Sequence, residues 1–319
     1  MRPWRLVADV GGSNVRFARA HQQHALGERR SYALAKYASF ADALSVFLDE
    51  TKGPEGCTSA AIGVAGPGDG DSVKITNAPW TVTAGEVAEL LGGAPTRLLN
   101  DLQAVALALP HLADNEIVSI GGVRRSDRLR QTMIAVNVGT GFGGAAAIPA
   151  GADWITNPGE PGHMTLGALD TAQLELLRDA GSVEEVLSGR GVARLYRCLA
   201  ERLGTEADAS LDAGQIFSLA ETDTTASETL RIFSILLGRV AGDFALAAAA
   251  WGGVYLCGSV VNGWAAAGGA ERFRGPFEAK GPMRGFMENV YTGILIRDDT
   301  ALLGLTHLPI ENYQPASMG

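Results

Sequence analysis

The chain of 319 residues carries a formal net charge of −9, with 35 acidic against 26 basic residues, and 41 of its residues are glycine. This acidity argues against a protein that binds nucleic acid, but it does not exclude a nucleotide, because backbone N–H groups and helix N-termini hold phosphates. Three widely spaced cysteines predict neither a disulfide framework nor a zinc site. With no apparent signal peptide or membrane span, the chain is predicted to be cytoplasmic, and its length favours two domains.

Short apolar runs alternate with amphipathic segments through the first third of the chain, which is typical of α/β proteins. A strand is predicted at 5–10 and a returning strand at 14–20, with a third strand at 32–35. Ser39 is predicted to cap the helix that follows it. The other elements predicted here are a strand at 58–64, a helix that Thr83 caps with Glu86 at the capping-box position, a strand at 97–99 and a helix at 101–108.

The chain then begins a second series of elements with an apolar strand at 131–138 and a returning strand at 142–148. VADVGGSN at 7–14 and AVNVGTGF at 135–142 are weakly similar, which favours two domains built on one plan over a chance likeness. The remaining predictions are helices at 169–179, at 183–189 with Ser182 as its cap, and at 191–203, 212–220, 226–250 and 300–307, with strands at 253–256 and 290–296.

Glycine clusters follow two of these strands and suggest phosphate-binding turns. In Asp9-Val-Gly-Gly-Ser-Asn14, backbone N–H groups and the Ser13 hydroxyl can contact phosphate oxygens, and Asp9 can hold Mg²⁺ directly or through water. The segment is neither a Walker A motif nor a Rossmann fingerprint. Gly139-Thr140-Gly141 is a second turn of this kind. Taken alone, each motif is also explained as an ordinary hairpin turn.

Asn100 and Asp101 lie at the tip of a short strand, just before a helix. A carboxylate there can accept a proton from a substrate hydroxyl while the neighbouring amide orients that hydroxyl. The alternative, which the local sequence favours, is that Asp101 only caps the helix.

The loop Asn157-Pro-Gly-Glu-Pro-Gly-His163 presents Glu160 and His163 together on a backbone that proline and glycine constrain. Such a mixed set of donors and acceptors suits a polyol, whereas a metal site is disfavoured because further ligands at metal spacing are missing. Glu184 and Glu185 are predicted in the first turn of a helix, where acids are often only partners of the helix dipole.

Taken together and in order, these motifs resemble the bacterial glucokinases of the proteobacterial type, which are sugar kinases of the actin-like ATPase fold. The resemblance covers almost the whole chain. It is carried by DVGGSN at 9–14, TNAPW at 76–80, LLNDLQAVALALP at 98–110, GTGFGG at 139–144, PGEPGH at 158–163, VEEVLSGRGVARLYR at 183–197, GGVYLCGSVVNG at 252–263 and DDTALLGLTHL at 298–308.

The resemblance implies a two-domain α/β protein of the actin-like ATPase (ribonuclease H-like) fold, with the active site in the interdomain cleft. Its domains would be 1–111 plus 300–319, and 112–299. It implies transfer of the γ-phosphoryl group of ATP to the 6-hydroxyl of glucose with Mg²⁺, in a cytoplasmic homodimer that binds neither nucleic acid nor membrane.

The resemblance also implies a role for individual residues. Asp101 would be the general base. The sugar would be bound by Asn77, Asn100, Asp101, Glu160, His163 and Glu184. ATP would be bound by Asp9, Gly11, Gly12, Ser13, Asn14, Gly139, Thr140, Gly141, Gly258 and Ser259, with Asp9 holding Mg²⁺ through water.

Three residues depart from the pattern of the family. Ser13 replaces the usual Thr and keeps the hydroxyl, whereas Ser259 replaces a usual Gly and is expected to alter adenosine packing. Pro161 replaces a common Gly and is expected to displace the sugar loop, because proline fixes φ and lacks an N–H.

Three other functions stay open on the sequence. The acceptor could be another hexose, or the protein could be a non-catalytic sugar-sensing regulator on the same fold. The third, an actin-like polymerising ATPase, is disfavoured because it would not need the polyol-binding set.

Overall fold

The computed structural model describes residues 2–66, 70–76, 78–126, 130–167, 177 and 179–310. It consists of two compact units, the first formed by Met1–His111 with Asp298–Gly319 and the second by Leu112–Arg297. No helix in the described part of the chain is both long and apolar enough to cross a lipid bilayer.

The first unit is built on a mixed sheet. The strands of this unit are β1 (Trp4–Val10), β2 (Asn14–Ala20), β3 (Leu26–Ala33), β4 (Cys57–Val64), β5 (Ser72–Lys74), β6 (Thr81–Thr83) and β7 (Thr96–Asn100). Five of them form one sheet in the order β3-β2-β1-β4-β7, and β5 pairs with β6. Because β1, β4 and β7 run parallel, the hairpin turn after β1 and the residues after β7 lie at the same edge of this sheet.

Three helices of the first unit are α1 (Phe40–Glu50), α2 (Ala84–Leu90) and α3 (Asp101–Ala108). The hydroxyl of Ser39 accepts a hydrogen bond from the N–H of Asp42, so the predicted cap of α1 is confirmed. The apolar face of α1 buries Phe47, whose ring stacks on Phe17 of β2 with centroids 5.2 Å apart. This contact lies in the hydrophobic core between α1 and the sheet.

The second unit also contains a mixed sheet. Its strands are β8 (Ile117–Ser119), β9 (Met133–Val138), β10 (Phe142–Ala150), β11 (Asp153–Gly159), β12 (Gly253–Cys257) and β13 (Thr292–Leu295). They are ordered β11-β10-β9-β12-β13-β8. Since β12 is parallel to β9 and β10 is antiparallel to both β9 and β11, the turn after β9 and the residues after β11 and β12 share one edge.

Helices pack around this second sheet. They are α4 (Gly189–Leu203), α5 (Ala213–Ser218), α6 (Thr224–Ala247), α7 (Ser259–Ala266), α8 (Arg274–Glu278) and α9 (Arg284–Met287). The long helix α6 is extensively buried, and its one buried serine, Ser234, accepts a hydrogen bond from the indole N–H of Trp264 at 2.8 Å. This bond satisfies two polar groups inside an otherwise apolar core.

The last helix, α10 (Thr300–Thr306), belongs to the first unit and packs against α3. The guanidinium of Arg5 donates to the carbonyls of Leu305, Thr306 and Leu308, at 3.4, 3.0 and 2.8 Å. A cation at a helix C-terminus satisfies carbonyls that have no partner within the helix. Arg5 therefore ties the end of the chain to the first strand.

The two units share one plan. In each sheet, the first strand of a hairpin is followed on one side by two further strands that run parallel to it. On the other side it pairs with the second strand of the hairpin, which is followed by a third antiparallel strand. The predicted internal repeat is confirmed at the level of strand order. The additional strand β8 extends only the second sheet.

Several predicted elements need correction. The third strand begins at Leu26 rather than at 32, because it is an edge strand whose exposed side chains are polar and lack apolar alternation. Thr83 precedes α2, but its side chain makes no capping bond. The helix predicted at 183–189 with Ser182 as its cap is wrong: residues 183–188 form turns and bends, and Gly189 is the first residue of α4, which Ser188 caps. The helix predicted at 169–179 lies mostly outside the described residues.

Candidate active site

The turn between β1 and β2 presents potential phosphate donors to solvent. The N–H of Gly11 donates to the carbonyl of Asn14 at 3.0 Å and closes the hairpin, whereas Gly12 and Ser13 are exposed. The carbonyl of Ser13 accepts from the N–H of Leu34, which fixes the turn from the neighbouring strand. The exposed backbone and hydroxyl groups of this turn are donors of the kind that binds anions.

Asp9 is the buried acid behind this turn. Its Oδ2 accepts a hydrogen bond from Nη2 of Arg16 at 2.5 Å, and Arg16 also donates to the carbonyl of Asp298. Burial raises the pKa of the Asp9 carboxyl, and the charge and hydrogen bond of Arg16 oppose that rise.

The surroundings of Asp9 suit a magnesium ion held through water. Among the described residues, nothing donates a hydrogen bond to Oδ1 of Asp9, so that oxygen is available to accept one from a metal-bound water. The described residues also contain no cluster of three or more side chains that could ligate a metal directly. Mg²⁺ keeps several waters and commonly uses one or two carboxylates, so this donor set fits it.

Asn100 and Asp101 are held rigidly where β7 passes into α3. The Oδ1 of Asn100 accepts from the N–H of Leu102 at 2.9 Å, and the side chain of Gln103 accepts from the N–H of Asn100 at 2.9 Å. Nδ2 of Asn100 donates to the carbonyl of Gly66 at 3.2 Å. The N-cap of α3 is therefore Asn100 and not Asp101, although the Asp101 carboxylate shares the N–H of Leu102 with it.

Asp101 is the first residue of α3 and is only partly buried. Its Oδ1 accepts from the N–H of Leu102 at 2.9 Å, which fixes the orientation of the carboxylate. The N-terminus of a helix also favours negative charge. Because β1, β4 and β7 are parallel, Asp101 shares its edge of the sheet with the Gly11–Asn14 turn.

In the second unit, the turn after β9 is the counterpart of the first phosphate turn. The N–H of Gly139 donates to the carbonyl of Gly141 at 2.9 Å, and the carbonyl of Gly139 accepts from the N–H of Gly189, the first residue of α4. Thr140 is exposed at the tip of the turn. The contact with Gly189 joins this turn to the start of α4.

Gly258 follows β12 at the same edge, with φ of 105° and with Ser259 exposed beside it. A Cβ at Gly258 would lie 2.4 Å from the carbonyl oxygen of Val138. Only glycine can combine this backbone conformation with such a close approach. The predicted adenosine turn is thus packed directly on the strand that leads to the second phosphate turn.

The loop with Glu160 and His163 leaves the same edge after β11. Pro161 is the first residue of a short 3₁₀ turn, Pro161–His163, in which its missing N–H is not needed. Glu160 and His163 are both exposed, while Gly162 is buried. A Cβ at Gly162 would meet the carbonyl oxygen of Phe142 at 2.3 Å, so the loop packs against the start of β10.

Glu184 and Glu185 have different surroundings, which the local sequence pattern did not distinguish, and only the family resemblance had singled out Glu184. The N–H of Glu184 donates to the carbonyl of Gly162 at 2.8 Å, and its Oε2 accepts from the N–H of Phe142 at 2.9 Å. Oε2 of Glu185 instead accepts from the N–H groups of Gly181 and Ser182. Glu184 therefore contacts both the Pro161–His163 turn and the start of β10, whereas Glu185 closes a separate turn.

The first unit thus brings Asp9, Gly11, Gly12, Ser13 and Asn14 to one sheet edge with Asn100 and Asp101. The second unit does the same for Gly139, Thr140, Gly141, Glu160, His163, Glu184, Gly258 and Ser259. Asn77 lies outside the described residues.

The sequence did not identify Arg16, Phe142 or Arg190 as parts of these sets. The signal for Arg16 is a charged residue directly opposite Asp9 in a buried hairpin. The signal for Arg190 is a cation at the start of a helix, where it opposes the dipole.

Comparison with known proteins identifies the family. A family model described as "Glucokinase" matches residues 6–311. The chain is 33% identical to the glucokinase of Nitrobacter hamburgensis over 98% of each chain. It is 34% identical to the "Bifunctional protein glk" of Paraburkholderia xenovorans over 99% of this chain, and it spans about half the length of that relative.

Among solved structures, the glucokinase from an Antarctic psychrotroph resembles this chain with a TM-score of 0.86 and 29% identity, over 96% of this chain and 98% of the other. The actin-like ATPase fold expected from the sequence is thereby confirmed. The family model extends over nearly all of the described elements, and the sequence and structural relatives agree with it, so the chain belongs to the glucokinase family.

Proposed function

We propose that Asp101 is the general base in the ATP-dependent phosphorylation of glucose, the reaction of the family to which the chain belongs. The observation that carries this assignment is the rigid Asn100–Asp101 pair at the β7–α3 junction. Asn100 is the N-cap, and Asp101, as the first helical residue, accepts from the same N–H of Leu102 with Oδ1, which fixes its carboxylate. A carboxylate of fixed orientation beside an amide suits the removal of a proton from a bound hydroxyl.

The proposal assigns the hydroxyl groups of glucose to Asn100, Glu160, His163 and Glu184, with Asn77 as a further ligand. Carboxylate oxygens accept from sugar hydroxyls, and the amide and imidazole groups also donate. The hydrogen bond from Glu184 to Gly162 and the packing of Gly162 on Phe142 support a common role for the loop and Glu184.

The proposal assigns the phosphates of ATP to two glycine turns and the adenosine to the residues after β12. The first turn comprises Gly11, Gly12, Ser13 and Asn14. The second comprises Gly139, Thr140 and Gly141, and Gly258 and Ser259 contact the nucleoside. Asp9 would hold Mg²⁺ through water, and the ion when bound neutralises phosphate charge.

In the proposed mechanism, Asp101 accepts the proton of the 6-hydroxyl as the new O–P bond forms and the bond to the leaving ADP oxygen breaks. Phosphoryl transfer has a loose transition state, so positioning and charge stabilisation provide most of the acceleration. The backbone N–H groups of both turns therefore contribute by placing the γ-phosphoryl group and stabilising its charge.

The test is a coupled assay of ADP release with ATP, Mg²⁺ and glucose, together with the omission of each. We expect release only in the complete mixture, whereas a non-catalytic sugar regulator would release none. Asp101→Asn should lower kcat by roughly 10²–10⁴-fold while glucose still binds. Asp42→Asn removes a first-turn acid from α1 and is the matched control, with unchanged kcat expected. Near-normal turnover of Asp101→Asn would remove Asp101 from the role of base.

A panel of other hexoses tests the choice of acceptor, with the highest kcat/KM expected for glucose. The panel is included because Pro161 shapes the loop that carries Glu160 and His163. We also propose that the protein is a cytoplasmic homodimer. Light scattering after size-exclusion chromatography would measure the mass of the particle and test the dimer.

A further inference from the structure

Arg190 makes an ion pair with one of the proposed sugar ligands. Its Nη2 lies 3.0 Å from Oε1 of Glu184, whose other oxygen accepts from the N–H of Phe142. The two partners therefore hold the two oxygens of one carboxylate. Each carboxylate oxygen has two lone pairs, so both can still accept hydrogen bonds from a sugar.

The position of Arg190 is unfavourable for the helix that carries it. It is the second residue of α4, where a cation opposes the helix dipole, and its side chain is 77% exposed, so packing does not explain its presence. Residues that lower the stability of the element they belong to are concentrated at functional sites. The preceding residue, Gly189, donates its N–H to the carbonyl of Gly139, so Arg190 emerges beside the second phosphate turn.

A neighbouring pair provides a comparison within the same helix. Arg194 lies one turn further along α4 and approaches Glu185 at 3.9 Å. Glu185 is bound to the backbone of Gly181 and Ser182 and has no proposed role in binding sugar. The two arginines thus differ in whether the acid they contact belongs to the proposed site.

We propose that Arg190 is a positioning residue for glucose, which fixes Oε1 of Glu184 while the N–H of Phe142 fixes Oε2. The inference rests on the proposed role of Glu184 as a sugar ligand. Without Arg190, the half-buried carboxylate would rotate about its side-chain torsions, and glucose binding would have to order it. The guanidinium also pairs with the negative charge of this partly buried carboxylate.

The experiment compares Arg190→Gln, Arg190→Lys and Arg194→Gln in the full chain. Steady-state kinetics give kcat and both KM values, and calorimetric titration gives the Kd for glucose without ATP. Arg190→Gln should raise the KM and Kd for glucose roughly three- to tenfold, with kcat and the KM for ATP nearly unchanged. Arg190→Lys should restore most of the affinity, because a single N–O contact is involved, and Arg194→Gln should match the unchanged protein.

Three results would overturn the inference. If Arg190→Gln raises only the KM for ATP, the residue contacts the nucleotide instead. If Arg194→Gln weakens glucose binding equally, the effect is one of helix stability. Glu184→Gln separates this inference from the proposed function: if that variant loses glucose affinity and Arg190→Gln does not, only the role of Arg190 is wrong. If the unchanged protein releases no glucose-dependent ADP, the proposed function itself is wrong.

Discussion

Asp9 and Arg16 lie directly opposite each other in the β1–β2 pair, and Arg16 donates to Oδ2 of Asp9 at 2.5 Å. The carboxylate is almost fully buried, whereas the guanidinium is partly exposed. Burial raises the pKa of the Asp9 carboxyl, and Arg16 opposes that rise, so the pair favours the charged form of Asp9 against the cost of its burial. Removing one partner should have different consequences from removing both.

At about pH 7, Arg16→Gln should lower the free energy of unfolding by about 1–3 kcal/mol, because it leaves the Asp9 carboxylate buried without a cation. The double variant Asp9→Asn with Arg16→Gln should recover part of this loss, since neither charge remains. Urea unfolding of the single and double variants gives the comparison. Equal stability of Arg16→Gln and the unchanged protein would show that the pair contributes nothing.

The same variant should change the dependence of stability on pH. Burial raises the pKa of Asp9, and Arg16 lowers it, so Arg16→Gln should raise that pKa further. A raised pKa means that the folded protein takes up the proton more readily than the unfolded chain. Stability should then be lost as the pH rises from about 4 through the raised pKa of Asp9. The double variant lacks this group and should not show the additional loss.

His307 should make the protein sensitive to acid. Its ring stacks on those of His111 and His24, with centroids 3.5 and 3.7 Å apart. Burial, followed by the charges of His111, His24 and Arg5, lowers the pKa of His307 to about 3. Between its ordinary pKa of 6.5 and about 3, the unfolded chain binds a proton that the folded protein does not. Stability should therefore fall as the pH falls through this window.

Thermal unfolding at a series of pH values tests this prediction. His307→Phe keeps an aromatic ring for the stack but cannot be protonated, so its Tm should fall less between about pH 7 and pH 4 than that of the unchanged protein. Gln22→Asn, which changes an exposed residue with no titratable group close to His24 in sequence, is the control and should retain the original slope. Parallel curves for all three proteins would contradict the assignment to His307.

Gly162→Ala should damage the sugar loop. The added Cβ would meet the carbonyl oxygen of Phe142 at 2.3 Å, so the loop must move away from β10. We expect a higher KM for glucose and a loss of roughly 1–3 kcal/mol in stability. Gly167→Ala is the matched control, because a Cβ there would meet nothing within 4 Å. An unchanged KM for Gly162→Ala would show that the position of the loop does not set glucose affinity.

The two roles of Asn100 can be separated by substitution. Asn100→Ser keeps an oxygen that can cap α3 but loses the amide that donates to Gly66. Its stability should stay close to that of the unchanged protein while the KM for glucose rises roughly tenfold. Asn100→Ala should show the same kinetic defect together with a loss of about 1 kcal/mol, since the cap is also removed. Normal glucose affinity in both variants would exclude Asn100 as a sugar ligand.

Local patterns in the sequence were sufficient for elements whose stabilising contacts lie close along the chain. The hairpin of β1 and β2 followed from alternating apolar residues around a glycine turn, and α1 followed from Ser39 and its apolar face. The helix predicted at 183–189 was wrong: residues 183–188 form turns and bends, and their backbone is joined to distant segments through the N–H groups of Val183 and Glu184, which donate to Met164 and Gly162. Those partners are remote in sequence, so helix propensity gave no warning.

The sequence by itself determined the glycine turns, the Asn100–Asp101 pair and the resemblance to the glucokinase family, because these depend on short motifs and their order. Only the tertiary structure showed how the surroundings of Glu184 and Glu185 differ, since they are adjacent acids in the same local pattern and only the family resemblance had singled out Glu184. The partner that selects Glu184 is the N–H of Phe142, 42 positions earlier in the chain. A contact of that kind exists only after β10 and the turn before α4 have packed together.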